Sequence, residues 1–270
     1  MAGHNSSPMR DGKGQRWWGE YRLDEGAHGS WQLGALRLWV RRDRHDWHLV
    51  SGWDAGGNGV VVRVPSAEPP PEAGFHHHFG IRAPAAHLGL AARLPDRPLV
   101  WRPAQALSIA PHEEITLYLR TPLWLALQMG GEAALWETPL RRLSDTWFGS
   151  PTEAGGDAYS ADREVLFELD DAHDPLHAIT PIVIRNSASA LLHLERLNLP
   201  VPFLSLFVDE MARVWTQQVT LERDEEDEEL ALLRIGKGAP MEAGYASLLA
   251  GPRVEEEKHL MFQAFSRLFR

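Results

Sequence analysis

Residues 115–129 read Ile115-Thr116-Leu117-Tyr118-Leu119-Arg120-Thr121-Pro122-Leu123-Trp124-Leu125-Ala126-Leu127-Gln128-Met129. Ile115, Leu117 and Leu119 fall on every second position, and Leu123, Leu125, Leu127 and Met129 do the same beyond Thr121-Pro122. A period of two puts alternate side chains on one face of a strand, whereas an amphipathic helix needs apolar residues three and four apart. The stretch therefore predicts two strands separated by a turn. Working outward, residues 36–41 and 47–51 flank Asp43-Arg44-His45-Asp46 and predict a hairpin, and residues 60–64 follow the turn Gly56-Gly57-Asn58-Gly59. Residues 182–185, the turn Asn186-Ser187-Ala188-Ser189 and residues 191–199 predict a second hairpin. Further strands are expected at 165–169, 203–208, 214–222 and 230–235, with the charged run 222–229 as a solvated hairpin tip.

The resulting fold class is all-β, with two β-sandwich-like domains. Residues 1–16 form a flexible N-terminus, 17–150 an N-terminal β-rich domain and 163–252 a C-terminal one, divided by the polar, Gly-containing stretch 150–162. Residues 253–270 read differently. Met261, Phe265, Leu268 and Phe269 recur at helical spacing, Glu255, Glu256 and Glu257 precede them, and Arg267 and Arg270 end the run. That charge order complements a helix macrodipole, so a C-terminal amphipathic helix is expected.

Composition narrows function by exclusion. The chain has 270 residues, 44% of them hydrophobic and 24% charged, enough to bury a sizeable core. It has no cysteine, which removes disulfide scaffolds, thiolate metal sites and cysteine nucleophiles. Its net charge is −10, and residues 151–270 hold 22 acidic against 11 basic side chains. An acidic surface repels phosphate backbones and anionic lipid, so nucleic-acid binding is disfavoured. No window approaches the apolar length of a spanning helix, so no membrane insertion and a cytoplasmic location are expected. Gly56-Gly57-Asn58-Gly59 precedes a strand instead of opening a helix, Gly236-Lys237-Gly238 lacks the rest of a phosphate loop, and no Gly-x-Ser-x-Gly elbow occurs. No cofactor is expected.

Phe75-His76-His77-His78-Phe79 is the conspicuous cluster. On a strand, His76 and His78 share one face, a spacing that zinc sites use, but two imidazoles do not make a site and a third ligand such as His87 or His112 would have to come from elsewhere. The expected arrangement is solvent-facing histidines on an edge strand, the Phe side chains in the core and no metal; a metal-dependent enzyme built on His76 and His78 is the alternative. Asp170-Asp171-Ala172-His173-Asp174-Pro175-Leu176-His177 gathers carboxylates and imidazoles without calcium-loop spacing and reads as an acidic connection. Eleven Trp residues are many for this length. They are expected in the cores; a carbohydrate-binding module stacking sugars on exposed Trp17, Trp31 or Trp53 is the other reading.

Arg141-Arg142-Leu143-Ser144-Asp145-Thr146-Trp147-Phe148-Gly149 resembles a motif of an archaeal and bacterial family known as domain of unknown function number 432. Thr121-Pro122-Leu123-Trp124, Pro181-Ile182-Val183-Ile184-Arg185-Asn186, Glu195-Arg196-Leu197-Asn198-Leu199-Pro200-Val201-Pro202 and Gly236-Lys237-Gly238-Ala239-Pro240 carry the same resemblance. It covers the chain from about Trp17 onward and brings no catalytic signature. It implies a neighbourhood with small mechanosensitive channels, hence an accessory protein with channel association. Within the first motif, Trp147 and Phe148 are expected to wedge between domains, and Arg141, Arg142 and Asp145 to form ion pairs or line a ligand cleft. The functional expectation is a non-enzymatic binding or regulatory module acting through a protein partner or as a homo-oligomer. Met261, Phe262, Phe265, Leu268 and Phe269 are its candidate docking residues, because a contiguous apolar stripe must be covered.

Overall fold

A computed structural model describes residues 16–80, 86–129, 134–148, 156–161, 165–169, 174–223, 230–255, 259–263 and 265–266. Among these residues the chain forms twenty-five strands, two single-turn 3-10 helices and no α-helix. The all-β reading holds. The strands fall into two compact units, and the units are not consecutive stretches of chain. One takes residues up to Ala92, Trp124–Arg141 and a short segment ending at Leu176; the other takes Arg93–Leu123, Arg142–Ala172 and the chain from His177 onward. The decisive stretch is itself divided, since Glu114–Pro122 belongs to the second unit and Trp124–Met129 to the first. Of the expected connection at 150–162, residues 156–160 are a strand.

The first unit holds two sheets. Gly19–Arg22, His87–Arg93, Trp124–Met129 and Trp136–Pro139 make one; Val60–Arg63, His28–Leu33, Leu36–Arg42, Asp46–Trp53 and Phe75–Gly80 make the other, in that spatial order. The hairpin expected around residues 43–46 forms, with Leu36 opposite Trp53 and Val40 opposite Leu49. Its register sorts the residues by polarity. Trp31, Leu33, Leu36, Leu38, Val40, Trp47 and Leu49 share the inner face and are buried, while Arg37, Arg41 and His48 share the outer one. Leu88, Leu90, Leu125 and Leu127 supply buried side chains from the other sheet. Tyr21 meets the Trp31 ring edge-on at 5.2 Å and donates its hydroxyl to the Trp17 carbonyl, so aromatic contact joins the sheets. Gly29 must lack a side chain, because a Cβ there would lie 2.6 Å from the Trp31 ring.

In the second unit, His177–Arg185 is the spine. Glu114–Pro122 runs antiparallel along its whole length, from Glu114 opposite Arg185 to Pro122 opposite His177. On its other side Val214–Thr216 and Val219–Arg223 pair with it in succession, both parallel. From there the sheet continues one way through Leu206–Asp209 to Ala246–Ala250, and the other way through Leu230–Ile235 to His259–Gln263. A five-stranded sheet of Ser144–Phe148, Gly156–Ser160, Leu99–Trp101, Arg196–Leu199 and Phe265–Ser266 completes the unit with the pair Leu107–Ile109 and Leu192–Leu194.

Two expectations are corrected here. The hairpin of 182–185 with 191–199 does not form: Leu192–Leu194 pairs with Leu107–Ile109, and Arg196–Leu199 with Leu99–Trp101. Asn186 explains the diversion. Its buried amide donates to the carbonyls of Ile109, Ala110 and Ala190, tying the turn to a distant segment instead of folding the chain back on itself. Of the C-terminal segment expected to be helical, the described residues instead form strands, His259–Gln263 against Leu230–Ile235 and Phe265–Ser266 against Arg196–Leu199. The physical reason is the sheet edge. A helix would bury only a stripe, whereas a strand also satisfies the free backbone groups of Leu230–Ile235.

Candidate functional site

Pairing of Asp46–Trp53 with Phe75–Gly80 sets His48 directly opposite His78 and Val50 opposite His76. Residues in register project to the same face, so His48, His76 and His78 meet on the outside of the sheet. His48 Nε2 lies 3.2 Å from His76 Nδ1, and its ring stacks on His78 at 4.2 Å with an interplanar angle of 15°. Trp39 continues the row, edge-on to His48 at 5.9 Å, and His28 tilts over Trp39 at 5.0 Å. Both are anchored to the Glu68 carbonyl, 3.1 Å from His28 Nε2 and from Trp39 Nε1. Asp46 adds a carboxylate 3.9 Å from His78 Nδ1. Partial burial and the neighbouring His78 and His76 hold the His48 imidazole below the usual histidine range, against an opposing pull from Asp43. Among the described residues no three His, Asp or Glu side chains converge, as they stand, on a point that would hold a metal ion.

The same strand corrects part of the sequence expectation. His76 and His78 face solvent, but the Phe side chains are not core: Phe75 is 69% exposed and Phe79 half-buried. On that alternate face the His77 ring lies 5.7 Å from the Trp136 ring of the other sheet, while Phe75, at the start of this edge strand, is left open to solvent. The histidine partner that matters is His48; His87 and His112 lie on other segments.

Asp145 of the Arg-Arg-Leu-Ser-Asp-Thr-Trp-Phe motif sits on Ser144–Phe148, opposite Tyr159, and is 83% exposed at its side chain. Its carboxylate lies 3.4 Å from Arg97, whose guanidinium stacks over the Tyr159 ring at 5.2 Å. Tyr159 donates its hydroxyl to Asp96 at 2.9 Å. Burial, then the hydrogen bond to Asp96 and its charge, push the Tyr159 phenol up to about 12. Burial raises Tyr21 and Tyr118 as well, so the test is a difference: in ultraviolet titration Asp96→Ala should bring one late-ionising tyrosine earlier, and an unchanged curve would contradict this contact. Trp147 and Phe148 pair with Asp157 and Gly156 in strand register, while Arg141 and Arg142 are exposed where the chain enters this strand.

Of the other expected docking residues, Met261 and Phe262 stand opposite Leu232 and Ala231, and Phe265 opposite Leu197. Leu268 and Phe269 lie outside the described residues. So do Asp170–His173 of the acidic run, whose Asp174 accepts the Leu176 backbone N–H and caps a turn.

Sequence reasoning missed the surface around Ala246–Ala250. Among the described residues this strand ends the nine-stranded sheet and pairs with Leu206–Asp209 on one side only. Leu248 is 63% exposed, Tyr245 80% and Met241 95%, and Met211 is exposed on the turn that the Asp209–Ala246 pairing brings alongside. Beneath them Phe207, Trp215 and Ala243 form a buried cluster. The loop is fixed: Pro240 leads into the turn Met241–Ala243, Ala243 is buried, and Tyr118 donates its hydroxyl to Glu242 at 3.1 Å. The available signal was Met241 and Tyr245 in a segment rich in Gly and Pro, where large apolar side chains have little core to enter.

The Trp residues divide clearly. Trp17 and Trp31 are 0% and 1% exposed, so neither can offer a ring to a sugar, and Trp53 is half-buried. A cleft beside Leu99, Trp101, Thr121 and Leu199 holds about 250 Å³ including open solvent, below the range of roughly 300–1,000 Å³ usual for ligand sites. Among the described residues no helix is long and apolar enough to cross a membrane.

No curated protein and no solved structure was found to match the chain. A family model does match, over residues 17–270, almost the whole sequence and including each segment that carried the resemblance. The chain therefore belongs to the family described as protein of unknown function DUF432.

Proposed function

We propose that the protein is a non-enzymatic binding module that captures an extended segment of a partner protein along Ala246–Ala250. The observation that carries this reading is an uncharged strand, one-sided among the described residues, that exposes Leu248 itself and is flanked by exposed Met241 and Tyr245 on a pinned loop and by Met211 on the neighbouring turn. Free edges template further strands, and native proteins blunt them with Lys, Pro, inward-pointing charge or bulges; Ala-Ser-Leu-Leu-Ala carries no such residue, and its pairing with Leu206–Asp209 has one register shift, at Leu206/Phe207. Strand addition would draw affinity from backbone hydrogen bonds and selectivity from side chains meeting Leu248 and Tyr245. The pinned loop lowers the ordering cost of association. With a net charge of −10, the fitting partner segment is apolar at its centre and basic at its flanks.

The family resemblance makes a soluble segment of a small mechanosensitive channel the first partner to try. Peptides tiled across such a channel, titrated against the intact protein, should include one that binds. Leu248→Lys, at an exposed position, should weaken that binding at least tenfold without changing stability. Binding insensitive to Leu248→Lys and to Tyr245→Ser would refute the assignment of this edge, as would failure of both channel peptides and a general peptide-display selection to yield any ligand. Light scattering on the free protein separates the homo-oligomer: a dimer broken by Leu248→Lys would make a second copy the occupant.

A further inference from the structure

We propose that His48, His76 and His78 form a three-imidazole site for a divalent transition-metal ion, with zinc the best fit. The sequence shows a His-x-His pair on one strand; the structure adds the missing ligand, His48, from the adjacent antiparallel strand and on the same face. Three imidazoles with one position left open is a recognised zinc donor set, and nitrogen-only ligation excludes calcium and magnesium, which take oxygen.

Distances support a shared ion. Two nitrogens bound to one tetrahedral zinc at about 2.0–2.1 Å are about 3.3–3.4 Å apart. His48 Nε2 and His76 Nδ1 stand at 3.2 Å, joined by an N–H···N hydrogen bond that a shared ion would replace. The third ring is His78, stacked on His48 rather than turned toward that pair. It is exposed on an edge strand, so reorientation needs only a side-chain rotation, a motion of picoseconds to nanoseconds.

Asp46 Oδ2 lies 3.9 Å from His78 Nδ1 in the stacked orientation, near enough to serve as its outer-shell partner once the ring turns toward the pair and presents Nε2.

The site is independent of the partner-binding edge and is tested separately. Untagged protein, stripped with chelator and dialysed against zinc chloride at pH 7.5, should retain one zinc per chain by elemental analysis. His48→Ala, His76→Ala and His78→Ala should each weaken binding at least tenfold in calorimetry. Asp46→Asn should weaken it roughly tenfold or more. Circular dichroism in chelator should be unchanged throughout, because these side chains lie outside the core. No stoichiometric zinc, wild-type affinity in His48→Ala, or binding that survives the triple variant would each overturn the proposal.

Discussion

Replacing Asn186 with Ala is expected to destabilise the second unit by about 3–5 kcal/mol, a loss large enough to threaten folding. Asn186 is 1% exposed and acts as a junction. Its amide nitrogen donates to the carbonyls of Ile109, Ala110 and Ala190 at 2.8–3.0 Å, and its side-chain oxygen accepts from Arg223 Nη1 at 3.3 Å. Its backbone exchanges hydrogen bonds with Glu113 and His112. Ala would keep the backbone bonds and strand the rest, leaving buried carbonyls and weakening the anchorage of Arg223, itself only 4% exposed. Each buried group left unpaired costs about 1–3 kcal/mol, more when charge is involved. A fall in melting temperature of roughly 10 °C should accompany the change. A shift of only a degree or two would show that water replaces the amide and that the junction is not structural.

Asp209→Ala should have an effect of similar size, with a pH signature of its own. The Asp209 carboxylate, 3% exposed, accepts from the backbone N–H groups of Met211 and Arg213, from Arg213 Nε at 2.8 Å and from Trp215 Nε1 at 3.0 Å. Burial alone would raise its pKa, but the hydrogen bonds from Trp215 and Arg213 and the Arg213 charge win and hold it below the usual carboxylate range. A pKa lowered by folding means that the charged form stabilises the native state. The contribution is complete above the unfolded value of about 3.9 and is lost as pH falls through the lower folded value. Wild type should therefore exceed Asp209→Ala by about 3–5 kcal/mol at neutral pH, with the gap narrowing in strong acid. Denaturant titrations at pH 7 and at pH 2–3 measure both gaps. A gap independent of pH would mean that the carboxylate fills space without acting through its charge.

Asp209 also bears on function, because the turn it organises carries Met211 beside the Ala246–Ala250 edge. Loss of this turn should weaken partner binding through a change in shape, whereas Leu248→Lys acts at the contact itself.

Much of the β architecture was legible because strand identity is local. Alternation at 115–119 and 123–129 is a property of a few neighbouring residues, and the hairpin around residues 43–46 needs only a short turn. Pairings between distant segments were not legible. Nothing near residues 182–199 announces that an Asn amide will bind carbonyls at 109 and 110 and divert the chain. The same limit hid the imidazole site. His76 and His78 announce a shared face by spacing alone, but His48 joins them through a register set across twenty-eight residues by burial of Trp47 and Leu49. The C-terminal run failed for another reason. Leu, Met and Phe satisfy helical and strand periods almost equally over so few residues, and the open edge of Leu230–Ile235 decided between them.

Backbone hydrogen exchange at Ala246–Ala250 tests the central claim most directly. In the free protein, amides of this strand that face away from Leu206–Asp209 should exchange rapidly, as an uncovered edge requires. Adding the partner peptide that binds should slow those same amides, and should fail to do so in Leu248→Lys at equal peptide concentration. Protection confined to another edge, or a bound peptide that leaves residues 246–250 exchanging as before, would contradict strand capture at this site.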